Sequence, residues 1–231
     1  MHNKLSSVTV LVFFTLIAFF TSCTQKTTGN TTSPIASTEE IKNDITPVAL
    51  PQKTIATSMK MSDSPITPEN IDAFLFRNDC LYIDVRTPEA FYKEGHIAGF
   101  TNIPFYDYIA GFPGSHKPLF EMTRQGGTYL GDTGSYIANY EESGAILGDM
   151  LDTSKNIIVI STAGVESCYF LNLLVQLGYN PEKLYNAGSF TNGMGSDIAY
   201  RTFANARYLV SGLELSDTNV TFTLSGLTPK R

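Results

Sequence analysis

The run Leu81-Tyr82-Ile83-Asp84-Val85 passes within two residues into Thr87-Pro88-Glu89-Ala90, and this junction constrains the fold more than any other feature of the chain. The first segment is short, apolar and partly β-branched, with its polar residue near the end, as in a buried strand. The second places a hydroxyl N-cap before a proline at the first helical position. A strand that feeds directly into a capped helix opens a βα unit and commits the domain to an α/β fold with a mainly parallel sheet flanked by helices. The same helix-start device stands earlier at Thr67-Pro68-Glu69-Asn70, followed by Ile71, Phe74 and Leu75 at helical spacing. Further on, Ile157 to Ile160 reads as a second buried strand. Phe170, Leu171, Leu174 and Leu177 then form the core-facing stripe of a helix that begins near Ser167 and ends where Gly178 supplies a left-handed cap.

The chain has 231 residues, of which 42% are hydrophobic, enough for one domain of ordinary size plus appendages. A formal charge of −6 argues against a surface built to neutralise the phosphates of nucleic acid. At the N-terminus, Lys4 precedes the apolar run Val8 to Phe20 and the small polar trio Thr21, Ser22 and Cys23. That run is shorter than the roughly 20 residues a membrane span needs and suits a cleaved secretory signal. Phe20-Thr21-Ser22-Cys23 resembles the lipobox of bacterial lipoproteins, with Phe20 where Leu is usual. The resemblance implies that residues 1–22 are a signal peptide and that an acylated Cys23 becomes the first mature residue. Plain secretion, with Cys23 lost in the removed peptide, is the alternative. Residues 23–64 are rich in Thr, Ser, Lys and Pro without a sustained apolar period, and read as a disordered tether. The expected location is the bacterial cell envelope, on the exported side of a membrane held through the lipid anchor.

"LYIDVRTPEAFYKEGHIAGFTNIPF" (81–105) and "NIIVISTAGVESCYFLNLLVQLGYNPEKLYNAGS" (156–189) carry a family resemblance. With their Asp-x-Arg strand end, Gly-His-Ile-x-Gly turn and strand–loop–helix order, they are similar to the two halves of a rhodanese-like domain. The resemblance covers residues 65–190 and implies a three-layer domain with a mainly parallel central sheet. In active members the loop after the second strand begins with a cysteine that carries a persulfide. Here that loop is Ser161, Thr162, Ala163, Gly164, Val165, Glu166 and Ser167. A serine hydroxyl is not ionised at neutral pH and cannot hold a transferable persulfide. Glu166 stands where the family often has an arginine, and a carboxylate repels an anionic sulfur donor. The resemblance thus implies a pseudoenzyme at this loop. Asp84, Arg86 and His96 are implied as structural residues, with the His96 ring bonding backbone in its turn.

Cys168 is the alternative nucleophile: it follows Ser167 in the first turn of the helix, where the dipole favours a thiolate. A hydrolytic role for Ser161 needs a base within hydrogen-bond reach, and no feature brings His96 or His116 there. Cys80 opens the first strand while Cys168 lies beyond the far end of a parallel neighbour. The two are expected to be free thiols, since a disulfide needs Cα atoms within about 7 Å. No metal-type cluster and no cofactor motif is found.

Residues 105–155 form an insertion beside the loop, punctuated by Gly111, Gly114, Gly126, Gly127, Gly131 and Gly134 among Phe112, Phe120, Tyr129, Tyr136 and Tyr140. It reads equally as a lid or recognition surface and as a surface excursion whose aromatics pack onto the domain. The C-terminal extension, 191–231, has helical patterning around 198–208 and an alternating stretch, 220–224, that suits an edge strand. Two functions remain open: a membrane-anchored module that binds an unidentified protein or small ligand without sulfur transfer, and a sulfurtransferase or other thiol enzyme using Cys168. The anchor expectation has a direct check. The mature protein should start at Cys23 and partition into detergent with the membrane fraction. Recovery of intact wild-type protein from the medium with a free N-terminal amine would refute it.

Overall fold

Four strands form the central sheet, all parallel, in the order β3 (Thr101–Asn102), β1 (Cys80–Asp84), β7 (Asn156–Ser161), β8 (Leu184–Ser189). The computed structural model describes residues 48–53, 60, 63–123, 135–190, 200, 206–210 and 223–230. The signal peptide, Cys23 and most of the tether lie outside the described residues, as do Gly126, Gly127, Tyr129, Gly131, Gly134 and most of both segments read in the C-terminal extension.

The sheet is covered on both faces, so its strands are apolar throughout and yet sort their side chains by the twofold strand period. Ile83, Ile157, Val159 and Leu184 face one core, whereas Tyr82, Ile158, Ile160, Tyr185 and Ala187 face the other. The first core is closed by α3 (Val165–Gln176), which contributes Phe170, Leu171, Leu173 and Leu174. Complete burial of each such side chain contributes roughly 2 kcal/mol. The second core is closed by Ile66, Ile71, Phe74, Leu75 and, from α1 (Pro88–Lys93), Phe91. Layers of helix, sheet and helix follow, the three-layer α/β domain that the sequence predicts.

Local chemistry explains most element ends. Thr87 Oγ1 accepts the Ala90 N–H at 3.2 Å with Pro88 opening α1, as expected. At the far end of α3, Gly178 adopts φ +90° and the Tyr179 N–H reaches back to the Leu174 carbonyl, the left-handed cap read from sequence. Three expectations need correction. The element after Thr67-Pro68 is a 3-10 turn at Ile71–Phe74 whose N-cap, Asn70, makes no side-chain cap bond. Its apolar residues are buried as expected, but Leu75 turns extended and ends it. Helix α3 begins at Val165, ahead of Ser167, because Gly164 at φ +78° turns the chain into it from a left-handed conformation. Part of the segment read as a disordered tether is also held on the domain. Leu50 packs on the second core, Tyr185 donates its hydroxyl to the Pro51 carbonyl, and the Lys53 ammonium donates to the carbonyls of Pro181 and Leu184.

The segment read as an insertion is a built element. After Pro104 the chain makes a π-helical turn at Phe105–Ile109 and then a second sheet, β4 (Ala110–Gly111), β5 (Phe120–Thr123) and β6 (Ser135–Ala138). A Cβ on Gly111 would stand 2.5 Å from Ser115 Oγ and 3.2 Å from Pro118 Cγ, so any larger residue would force those side chains to shift. Phe120, Met122 and Tyr136 face the first core. Gln176 of α3 clasps the Tyr136 main chain with two bonds, of 3.0 and 2.7 Å, and Tyr136 donates its hydroxyl to the Tyr169 carbonyl at 2.6 Å. Helix α2 (Ser143–Met150) then returns the chain to β7. The short strand β2 (His96–Ile97) pairs with β9 (Leu209–Val210), which fastens part of the C-terminal extension to the domain.

Candidate functional site

From β1 the chain moves to β3 on one side of the sheet and later to β7 on the other, so a switch point lies between β1 and β7. In open α/β sheets, ligand sites form beyond the strand C-termini at such a point. A cleft of about 120 Å³ opens there, lined by Val85, Arg86 and Thr87 from the end of β1, Ser161, Thr162 and Glu166 from the loop into α3, and Pro104 to Asp107 from the start of the insertion.

The wall at β1 is held by charge. Arg86 and Asp84 pair at 2.7 Å, both side chains fully buried. Asp84 accepts from the Arg86 Nε and Nη2 and from the Arg86 backbone N–H. The guanidinium also donates to the Gly95 carbonyl at 2.8 Å and stacks 3.8 Å from the Phe190 ring centroid. Asn102 Nδ2 in turn donates to the carbonyls of Asp84 and Arg86, tying the strand end to β3. These contacts take up the guanidinium within the protein. His96 is half-buried outside the cleft: its ring stacks 3.8 Å from that of Phe91 and its Nδ1 contacts the Phe91 carbonyl at 3.2 Å. Burial holds it below the usual imidazole range.

The loop is held by hydrogen bonds. Ser161 ends β7 fully buried, and its Oγ accepts the Gly164 N–H at 2.8 Å. Asn186 Nδ2 donates to the Gly164 carbonyl at 2.8 Å and Ser189 donates to the Thr162 carbonyl at 2.5 Å. The loop therefore curls back over its first residue, with its left-handed glycine clamped from β8. Val165, Glu166 and Ser167 form the first turn of α3, and Ala163 is half-buried between them and Thr162. Ser167 Oγ is buried without a hydrogen-bond partner, as is Glu166 Oε2.

Cys168 does not reach this cleft. It is 6% exposed and packs into the first core. Burial pushes its thiol up to about 11, with the Asn172 amide and Lys60 opposing only weakly. Desolvation on burial is thus the dominant influence on this thiol. Cys80 and Cys168 are both free and buried, as expected. His116 meets the Asp107 carbonyl through Nε2, and neither it nor His96 lines the cleft. Among the described residues no group of His, Cys, Asp or Glu is arranged to hold a metal ion.

Sequence reasoning misses Tyr106 and Asp107, whose one signal is their place directly after Asn102-Ile103-Pro104, where the insertion departs. It also misses Asn186 and Ser189, which stand out only as polar residues in a buried strand. The rhodanese-like domain family matches residues 67–193, more than half of the chain, and the chain belongs to that family. A comparison with curated proteins finds no match.

The Asp84–Arg86 pair yields a stability prediction. Arg86→Ala leaves a buried carboxylate unpaired and should cost about 3 to 5 kcal/mol. Arg86→Met combined with Asp84→Asn should recover most of that loss. Urea unfolding of the single and double variants measures both. A cost below about 1 kcal/mol for Arg86→Ala, within the range of exposed ion pairs, would contradict a structural role.

Proposed function

We propose that this chain is an exported, lipid-anchored rhodanese-like module that binds a ligand or partner at the cleft of Ser161 and does not transfer sulfur. One observation carries the reading. The loop is folded around its first side chain, and that side chain is a hydroxyl, the Ser161 Oγ held 2.8 Å from the Gly164 nitrogen. In a rhodanese-like loop this is the position from which a thiolate would take sulfur, and serine has neither the acidity nor the sulfur chemistry to do so.

Further support comes from what surrounds Ser161. Neither His96 nor His116 lines the cleft to serve as its base, which disfavours hydrolysis. Cys168 is buried on the core side of α3 with its thiol pushed up to about 11, so little thiolate forms at neutral pH. Clamps from Asn186 and Ser189 keep the loop closed on itself, and the insertion adds Tyr106 and Asp107 to the rim. A rigid loop beside an added wall suits recognition more than turnover.

Thiosulfate-to-cyanide transfer tests the reading. Purified protein should form no thiocyanate above a no-enzyme control, and a sulfane donor should leave no stoichiometric persulfide on Cys168. Turnover that disappears in Cys168→Ala would establish the thiol-enzyme alternative instead.

A further inference from the structure

Asp72, in the 3-10 turn at Ile71–Phe74, is half-buried and reaches across to the C-terminal extension. Its Oδ2 accepts the Arg207 N–H at 3.4 Å, and the Tyr200 hydroxyl donates to the same carboxylate. The Tyr200 oxygen in turn accepts the Tyr208 N–H at 3.0 Å. One acidic side chain thus gathers three residues ahead of β9, and the Tyr208 carbonyl accepts the Ala98 N–H at 2.8 Å beside the β2–β9 pair. Two lines of contact run from there to the cleft. The buried Tyr200 ring stacks on Phe190 at a centroid distance of 6.4 Å. Phe190 lies 3.8 Å over the Arg86 guanidinium, and its N–H donates to the Ser161 carbonyl at 2.9 Å. Strand β2 follows directly on Gly95, whose carbonyl holds the same guanidinium. Arg86 and Ser161 both line the cleft.

Resting on the reading of the cleft as the working site, we propose that the C-terminal extension is an acid-tightened latch behind it, seated on Asp72 through Tyr200 and Arg207. Asp72 Oδ1 is buried without a hydrogen-bond partner among the described residues, a state that costs an ionised carboxylate far more than a protonated one. A protonated carboxyl carries its proton there and keeps the other oxygen as acceptor for Tyr200 and Arg207. Burial accordingly raises the Asp72 pKa, with the Tyr200 hydroxyl, the Arg207 N–H and the Arg207 charge opposing. Tyr200 and Arg207 are the titratable and charged groups that face it, with Tyr208 behind Tyr200. With the extension released, Asp72 is hydrated and titrates near its ordinary value of about 3.9. Seating raises that value and so takes up a proton. The latch is tightest below about pH 3.9 and weakens as pH rises through the raised value.

Hydrogen exchange of the full chain in detergent micelles, read by mass spectrometry from about pH 3 to about pH 7 and corrected for intrinsic exchange, provides the test. Protection of peptides covering 96–98, 186–190 and 206–210 should fall together as pH rises above about 3.9 and then level off. A peptide from the middle of α3, 171–174, should not change, which separates release of the latch from global unfolding. Asp72→Asn keeps the shape, removes the titration and should hold the three peptides at their acid level throughout. Tyr200→Phe keeps the ring on Phe190 but loses the hydroxyl that joins Asp72 to Tyr208, and should lower protection about fivefold, the worth of one hydrogen bond. Wild-type protection that ignores pH, a pH response that survives Asp72→Asn, or a response at 206–210 without one at 186–190 would each overturn the proposal. Should Asp72→Asn fail to fold, Tyr200→Phe decides, and unchanged protection in that variant overturns the latch. Exchange is read without ligand, so sulfur transfer at the cleft would sink the preceding reading and leave this result standing.

Discussion

The buried pair of Asp84 and Arg86 organises the domain at the point where sheet, turn and cleft meet. Neither charge reaches water, so each depends on the other and on the groups around them: the Gly95 carbonyl, the Phe190 ring, and Asn102 bonded to the backbone on either side. Because a buried charge is tolerable only when paired and hydrogen-bonded, these partners must arrive together. Their arrival places the C-terminal end of β1 beside that of β7. Val85 and Arg86 then become one wall of the cleft and the loop from Ser161 the other.

The loop depends on the opposite economy, with neutral groups satisfied at short range. Gly164 alone can take the left-handed turn that starts α3, and Ser161, Asn186 and Ser189 occupy the hydrogen-bonding groups around it. A hydroxyl at the head of this loop completes the arrangement without ionising. The same framework, with a thiol there, would direct a backbone N–H and a helix terminus at a developing thiolate. Cys168 offers a contrast: one turn into α3, burial pushes the thiol up to about 11 and keeps it protonated.

Much of this arrangement is legible in the sequence, and the limits are physical. The strand at Leu81, the Thr87 cap and the Gly178 terminus are set by neighbouring residues, and they appear where local chemistry puts them. The start of α3 was harder to read because Gly164 looks like loop and acts as the helix entrance. The second sheet of the insertion escaped because its strands are short and its bonds lie between distant residues, such as Gln176 to the Tyr136 main chain. Lys53 is of the same kind: within a polar stretch nothing marks it as the residue that anchors to the carbonyls of Pro181 and Leu184. At the site, the loop and the Asp84–Arg86 pair were visible as residues, whereas the contribution of Tyr106 and Asp107 required the fold. Cys168 packs into the first core, where a residue one turn into a helix ordinarily points.

We propose that the loop keeps the architecture of a sulfur-transfer cup while holding a group that cannot use it. Spectroscopic titration of the thiol introduced by Ser161→Cys, in a Cys168→Ala background, tests it most directly. If the Gly164 N–H and the start of α3 still converge on this position, the thiol should titrate below the ordinary value of about 8.5, and further below it once Glu166→Arg removes the opposing carboxylate. A thiol in folded protein that titrates at or above about 8.5 with both substitutions would contradict the claim.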